Sequence, residues 1–292
     1  MIIYGIKIDS DIKLSYRFPK YGNYKYKISL SSYKKSCKKY KTYRVYLHKA
    51  HQKDIFLYSN KILKNYNKNA NYAYVVKDTV EFFFSMRDNS IYYKPLKEYS
   101  VEKFSFWFSH LMLPFYISLK KWYYFLHCSS VKLHGKSILF LAPSMGGKST
   151  MNSLFLSKKA RLISDDKLAT FIKNDKIYLT SSHPYYRPYR KFEELGYRAD
   201  KFIAKFDRID IIYHLEKSDN NSITITEIKG FQKVHILLNS YIFNISIKEI
   251  DKFNYINSIS KGIKMFSIKI PWDLKRLNDV FKYIEKEIKE VK

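Results

Sequence analysis

Hydrophobic and polar positions change their pattern about a third of the way along the chain. In residues 1–100 the apolar positions come in short, loosely alternating runs at Met1–Ile8, Tyr24–Leu30 and Thr42–Leu47. Alternation with a period of two, rich in tyrosine, predicts strands with one half-buried face. Glu81–Met86 and Ile91–Tyr93 flank Arg87-Asp88-Asn89-Ser90, whose composition suits a hairpin turn. Beyond residue 100 the spacing lengthens. Phe104, Trp107, Leu111 and Phe115 recur every third or fourth residue and predict a helix over 101–122. Pro114 should kink or end it, because its ring clashes with the preceding turn. Next come a strand-like run at Phe125–Leu133, a turn at His134-Gly135, an apolar strand at Ser137–Leu141, a loop, and a helix from about Ser149 to Lys158. Arg161–Ser164 is a short strand, and Leu168–Ile172 with Ile177–Thr180 should form a hairpin around Asn174-Asp175. Ile209–Leu215, Ser222–Ile228 and Tyr241–Ile247 also read as strands. At the end, Leu274, Leu277, Phe281, Ile284, Ile288 and Val291 share one face of an amphipathic helix started by Pro271 and Asp273. The expected organisation is a strand-rich N-terminal domain over 1–100 and an α/β domain over 101–292.

Composition narrows the class. With 46% hydrophobic and 18% aromatic residues among 292, the chain can bury a core, which excludes wholesale disorder. Two cysteines, Cys37 and Cys128, are too few for a disulfide scaffold or a multi-cysteine zinc site and suit a reducing compartment. MIIYGIKIDS lacks the basic and apolar regions of a secretory signal. The most apolar segment, Phe104–Leu119, is shorter than the ~20 residues of a membrane helix and contains Ser105, Ser109, His110 and Pro114. A cytoplasmic protein without a membrane span is expected.

The 54 Lys and Arg against 26 Asp and Glu leave a formal charge of +28, a field that attracts polyanions. Richness in Lys, Asn, Ile, Tyr and Phe is also what AT-rich codons produce, so charge alone does not name a partner. No nucleic-acid recognition motif accompanies it, and no specific nucleic acid is expected. Residues 1–50 hold 13 Lys and Arg against only Asp9 and Asp11, which reads as a solvated sheet face or a docking surface for an acidic partner.

The segment that carries chemistry is SILFLAPSMGGKST, residues 137–150. It orders a strand, A-x-x-x-x-G-K-S, and a helix, which is a phosphate-binding loop with Ala142 in the first small-residue position. Gly146 and Gly147 remove side chains so that backbone N–H groups can converge on an anion, and the helix directs its positive end there. Lys148 offers a charge to the outer phosphates and Ser149 a hydroxyl to Mg2+. Met145 stands where glycine is frequent. Asp165 and Asp166 follow a strand 17 residues after Lys148. Two carboxylates at a strand end beside such a loop suit metal binding and proton abstraction, and adjacent side chains diverge, so their roles should differ. His127 lies 15 residues before Ala142 at the end of an apolar strand, where a histidine can equally be a core residue.

Together, HCSSV at 127–131, APSMGGKST at 142–150 and LISDDKL at 162–168 resemble the HPr kinase family in residue types and in both spacings. Similar elements occur in the related ATP-dependent phosphoenolpyruvate carboxykinases. The resemblance covers about residues 101–190 and implies a P-loop nucleotide domain of α/β class. It implies that Ala142, Pro143, Ser144, Met145, Gly146, Gly147, Lys148, Ser149 and Thr150 cradle ATP, with Lys148 on the β- and γ-phosphates. Ser149 and Asp165 would position Mg2+. Asp166 would orient or deprotonate the acceptor hydroxyl, with the two aspartate roles exchangeable, and His127 would tune them. Arg187 and Arg190, in HPYYRPYRK, fall where relatives face substrate or phosphate, and a basic exposed loop is the alternative. The R-G-x-G segment of the bifunctional HPr kinases is absent; YYRPYRKFEELG stands there, so HPr as substrate, phosphorolysis and the hexamer are not implied. The chain looks closer to the related serine kinases of peptide-modification systems, including lasso-peptide tail kinases.

The leading expectation is a Mg-ATP-dependent kinase acting on a hydroxyl, a Ser of a peptide or protein. A non-catalytic ATP-binding regulatory or docking module is the alternative, motivated by Ala142, Met145 and the missing segment. The acceptor and the oligomeric state stay open, a homo-oligomer included.

Overall fold

The computed structural model describes residues 1–33, 41–62, 69–189, 191–243 and 249–290. Cys37, Arg190 and Val291 lie outside the described residues. The chain is a mixed α/β protein whose contacts separate into two compact units. One comprises Met1–Trp122 with residues 191–195; the other comprises 123–189, 196–243 and 249–290.

The first unit is built on one sheet of eight described strands. Their spatial order is Ile2–Ile3, Ile6–Ser10, Tyr26–Ser32, Ser90–Pro95, Val80–Ser85, Asn71–Val76, Lys53–Ser59 and Tyr43–Ala50. The predicted hairpin is present, with Val80–Ser85 antiparallel to Ser90–Pro95. The expected Met1–Ile8 strand is broken at Tyr4-Gly5, both at positive φ, which folds Ile2–Ile3 back on Ile6–Ser10.

The helical segment after residue 100 belongs to this unit, so its boundary falls at Trp122 rather than at 100. The reason is packing. Phe104 lies 5.5 Å from Phe82 and 4.6 Å from Tyr93, and Tyr116 lies edge-on to Phe84 at 5.1 Å, ring centre to ring centre. Pro114 does not end the helix. A widened turn over Trp107–Met112 joins Val101–Phe106 to Leu113–Leu119, and Pro114 sits at the start of the latter. The wider turn accommodates a ring and a missing N–H that a regular turn would not. Among the described residues, no helix is long and apolar enough to cross a membrane.

The second unit has two main sheets. The six-stranded sheet runs Arg161–Ser164, Ser129–Leu133, Lys136–Leu141, Ile211–Lys217, Lys264–Ile270, Thr224–Glu227. Its three strands Lys136–Leu141, Ile211–Lys217 and Lys264–Ile270 are parallel. The five-stranded sheet runs Phe206–Arg208, Lys176–Thr180, Leu168–Lys173, Tyr124–Leu126, Tyr241–Ile242. Two hairpins form as expected, at His134-Gly135 and Asn174-Asp175, each with both central residues at positive φ. That geometry matches the twist of the flanking strands.

The expected strand Phe125–Leu133 is instead two strands, Tyr124–Leu126 and Ser129–Leu133, in different sheets. The expected strand Tyr241–Ile247 is only Tyr241–Ile242, and residues 244–248 are outside the described ones. Helices Gly230–Ser240 and Glu249–Gly262 were not expected. The C-terminal helix is Leu277–Glu290, preceded by a tighter turn at Leu274–Arg276 that Asp273 caps through Lys275 N. Leu274 therefore leaves the apolar face and is 75% exposed.

The core of this unit orients the loop. Met151, Leu154 and Phe155 of helix Lys148–Ser157 pack with Phe140 of the preceding strand and with Phe281 and Ile284 of the C-terminal helix. Ring centres are 5.0 Å apart for Phe140–Phe155 and 5.1 Å for Phe155–Phe281. Each such buried aromatic contributes roughly 1.5–3 kcal/mol through area removed from water, enough to fix the helix and the turn that enters it.

Candidate active site

The site lies where the chain passes between the two sheets of the second unit. His127-Cys128 joins the five-stranded sheet to the six-stranded one, and Asp165-Asp166-Lys167 returns from Ser164 of the six-stranded sheet to Leu168 of the five-stranded one. Between these crossings the loop 142–147 joins strand Lys136–Leu141 to helix Lys148–Ser157. The loop turns on Met145 at φ 64° and Gly147 at φ 85°. A Cβ on Gly146 would lie 2.7 Å from Ala142 Cβ and 3.0 Å from Pro143 O, so the loop closes on itself where a side chain cannot fit. Met145, in the left-handed region where glycine is at ease, accepts that conformation with its side chain 84% exposed.

Lys148 folds inward. Its ammonium donates to Ala142 O and Pro143 O, both at 2.8 Å. Ser129 Oγ, on the neighbouring strand, donates to Lys148 O at 2.9 Å and ties the first helical residue to the sheet. One position on, Ser149 Oγ lies 3.5 Å from Asp165 Oδ1. Asn152, three residues after Ser149 and so on the same helix face, donates to Asp165 Oδ1 at 3.1 Å. Arg187 N donates to the other carboxylate oxygen of Asp165 at 2.8 Å. Asp165 is buried, and burial lifts its carboxyl to about 6, with the Arg187 N–H acting against that rise.

Asp166 faces different partners, as adjacent side chains should. It takes φ 80°, a left-handed conformation that aspartate tolerates better than most residues. Its carboxylate is paired with Lys167 and lies 3.8 Å from the Arg187 guanidinium. Burial lowers the Lys167 pKa, and Asp166 opposes that shift. His127 Nδ1 is 3.0 Å from Asp166 O and 3.4 Å from its carboxylate. A carbonyl oxygen can only accept, so Nδ1 carries the proton and, in the neutral ring, Nε2 is the acceptor. Burial lowers the His127 pKa and keeps that neutral form, with Asp166 opposing.

The expected residues His127, Ala142–Thr150, Asp165, Asp166 and Arg187 are thus brought together, whereas Arg190 is outside the described residues. Three neighbours were not read from the sequence. Asn152 had a signal, its spacing from Ser149. Lys167 stood in the quoted LISDDKL without a role. His183 likewise opens the quoted HPYYRPYRK without a role; it is buried, and burial lowers its pKa to about 3.

Among the described residues no three His, Cys, Asp or Glu side chains group as a metal cage. The oxygen pair Ser149 and Asp165 nonetheless fits Mg2+, which takes one or two carboxylates and completes its shell with water and phosphate oxygens.

No family model and no curated protein matches the chain. Among solved structures, the HPr(Ser) kinase/phosphatase from Coxiella burnetii is similar, with 11% identity and a TM-score of 0.36 over 57% of this chain and 97% of that one. A score that low establishes neither a shared fold nor a shared activity.

Proposed function

We propose that this chain is a Mg-ATP-dependent kinase of HPr kinase-like type that phosphorylates a serine hydroxyl of a peptide or protein. One observation supports the reading above the rest: the hydroxyl of Ser149, at the end of a glycine turn that no side chain could enter at Gly146, stands beside the buried carboxylate of Asp165. In this reading the backbone N–H groups of 144–149 and the Lys148 ammonium bind the β- and γ-phosphates. The ammonium exchanges its two loop carbonyls for phosphate oxygens. Ser149 and Asp165 hold Mg2+, which supplies charge neutralisation at the phosphates. The acceptor oxygen bonds to the γ-phosphorus as the bond to the β–γ bridging oxygen breaks, and Asp166 orients the acceptor and receives its proton. Little covalent chemistry falls to the protein, and positioning carries most of the rate. His127, through Asp166, is a positioning residue. The first unit, with its basic first 50 residues, would grip an acidic part of the acceptor.

Two variants test this. Lys148→Ala should abolish Mg2+-dependent ATP binding in calorimetry, and full retention would remove the loop from the nucleotide site. Asp166→Asn should bind ATP normally and lose phosphotransfer; normal transfer would remove its role as base.

A second reading is an ATP-binding module without transfer. It is favoured by the cations around Asp166: a carboxylate paired with Lys167 and within 3.8 Å of Arg187 is a weakened base. Tight binding with no phosphorylated product in a lysate containing the natural partner would decide for it.

A further inference from the structure

A cavity of about 190 Å³ opens beside the loop, within the second unit. Met145, Gly147 and Thr150 form one wall, and Pro271, Trp272 and Leu274 form the other. One water needs roughly 10–15 Å³ of such space, so the cavity admits a body many waters in size. Its rim concentrates apolar surface that a free-standing fold would cover: Met145 is 84% exposed, Leu274 75% and Trp272 61%. Each exposure has a local cause. Met145 holds a left-handed position in the loop, while Trp272 and Leu274 lie between the end of a parallel strand and the start of the last helix, after Pro271. The Lys217 ammonium stands over the Trp272 ring at 5.9 Å from its centre. A cation occupies one face of a ring, which leaves the other for a flat partner.

We propose, resting on the phosphate-loop reading above, that this cavity receives the base of the nucleotide, stacked on Trp272, and that it discriminates little between purines. Continuity names the occupant. Met145, Gly147 and Thr150 belong both to the loop and to the cavity wall, so a ligand with its phosphates in the loop extends its nucleoside here. The chemistry of the wall sets the selectivity. Among the ten lining residues the polar side-chain groups are the Thr150 hydroxyl, the Trp272 indole N–H at the edge of the stacking ring and the Asp273 carboxylate, and one Asp273 oxygen already accepts from Lys275 N at 2.9 Å. A site that binds by its π-face accepts any base that offers one, and stacking tolerates base identity where hydrogen-bond readout does not. The phosphate donor is thereby widened from ATP to purine nucleoside triphosphates.

Calorimetry with Mg2+ and three ligands, namely ATP, GTP and inorganic tripolyphosphate, tests this on the full chain, its Trp272→Ala variant and its Trp272→Phe variant. The expected pattern is ATP and GTP affinities within about tenfold of each other, and both weakened about tenfold or more by Trp272→Ala, the usual loss for a stacked base. Tripolyphosphate affinity should not change, and Trp272→Phe should retain most of the affinity for both nucleotides. The side chain is mostly exposed, so the variants should fold. Wild-type ATP binding no tighter than tripolyphosphate, or equal weakening of both by Trp272→Ala, overturns the base site and leaves the phosphate loop standing. A strong preference for one purine overturns the tolerance. Failure of folded wild type to bind any of the three overturns both readings.

Discussion

Replacing Asp165 by asparagine should make the protein more stable at neutral pH when no divalent metal is present. The magnitude follows from burial. Asp165 titrates at about 6 in the folded protein against 3.8 for an ordinary aspartate. Two pKa units correspond to ~3 kcal/mol at 1.36 kcal/mol per unit. The folded pKa is the raised one, so the stabilising contribution of the protonated acid is complete below 3.8 and lost as pH rises through about 6. At neutral pH the ionised group is thus a liability of ~3 kcal/mol. Asparagine removes the charge and keeps an oxygen for Arg187 N. Its new NH2 group meets Asn152, whose buried Oδ1 has no partner in the wild type and can turn to accept from it, giving up the Asn152 Nδ2 bond to Ser164 O. Losing that one bond costs about 1 kcal/mol, which leaves a net gain of ~1–2 kcal/mol. Urea unfolding in EDTA at about pH 7.5 and about pH 4 measures it, and the gain should be present at the first and nearly gone at the second. A variant less stable at the higher pH, or a gain equal at both, would refute the burial argument.

Other outcomes follow from the same geometry. Gly196→Ala should destabilise the second unit by ~2–4 kcal/mol, because Gly196 has φ 84° and a Cβ there would lie 2.3 Å from Tyr186 O, opposite the strand that precedes Arg187; a loss of unfolding free energy in urea under a quarter of that would contradict it. His183 should make the fold acid-sensitive. Its folded pKa is depressed from 6.5 to about 3, so its contribution is present above 6.5 and lost as pH falls toward 3; His183→Gln should flatten the stability-against-pH curve in that window. Phe155→Ala should cost ~3–5 kcal/mol, since its ring joins strand, loop helix and C-terminal helix, and thermal unfolding would read it.

What the sequence disclosed was local chemistry. His134-Gly135 and Asn174-Asp175 are turns because of the residues themselves, and the strand, glycine turn and helix at 136–157 follow from one another along the chain. What it hid was decided by distant packing. Phe125–Leu133 is one apolar run, and nothing in its periodicity marks the two residues at which it changes sheet. Glu249–Gly262 is poor in strong helix formers; it is held by the burial of Tyr255, Ile256 and Ile259, with Tyr255 stacked 4.0 Å from Tyr124. The approach of Arg187 N to Asp165 crosses 22 residues and belongs to no local motif.

The two crossings between the sheets carry a consequence for how alignment is maintained. Ser129, bonded to Lys148 O, is anchored in the six-stranded sheet, whereas Leu168, two residues beyond Asp166, begins a strand of the five-stranded one. Lys148 is therefore tied to one sheet, whereas Asp166 lies midway along the crossing, two residues from Ser164 of the six-stranded sheet and two from Leu168 of the five-stranded one. The spacing of these two side chains is then set by how the sheets are joined as much as by the loop. A change that shifts one sheet against the other would detune the pair with every site residue intact.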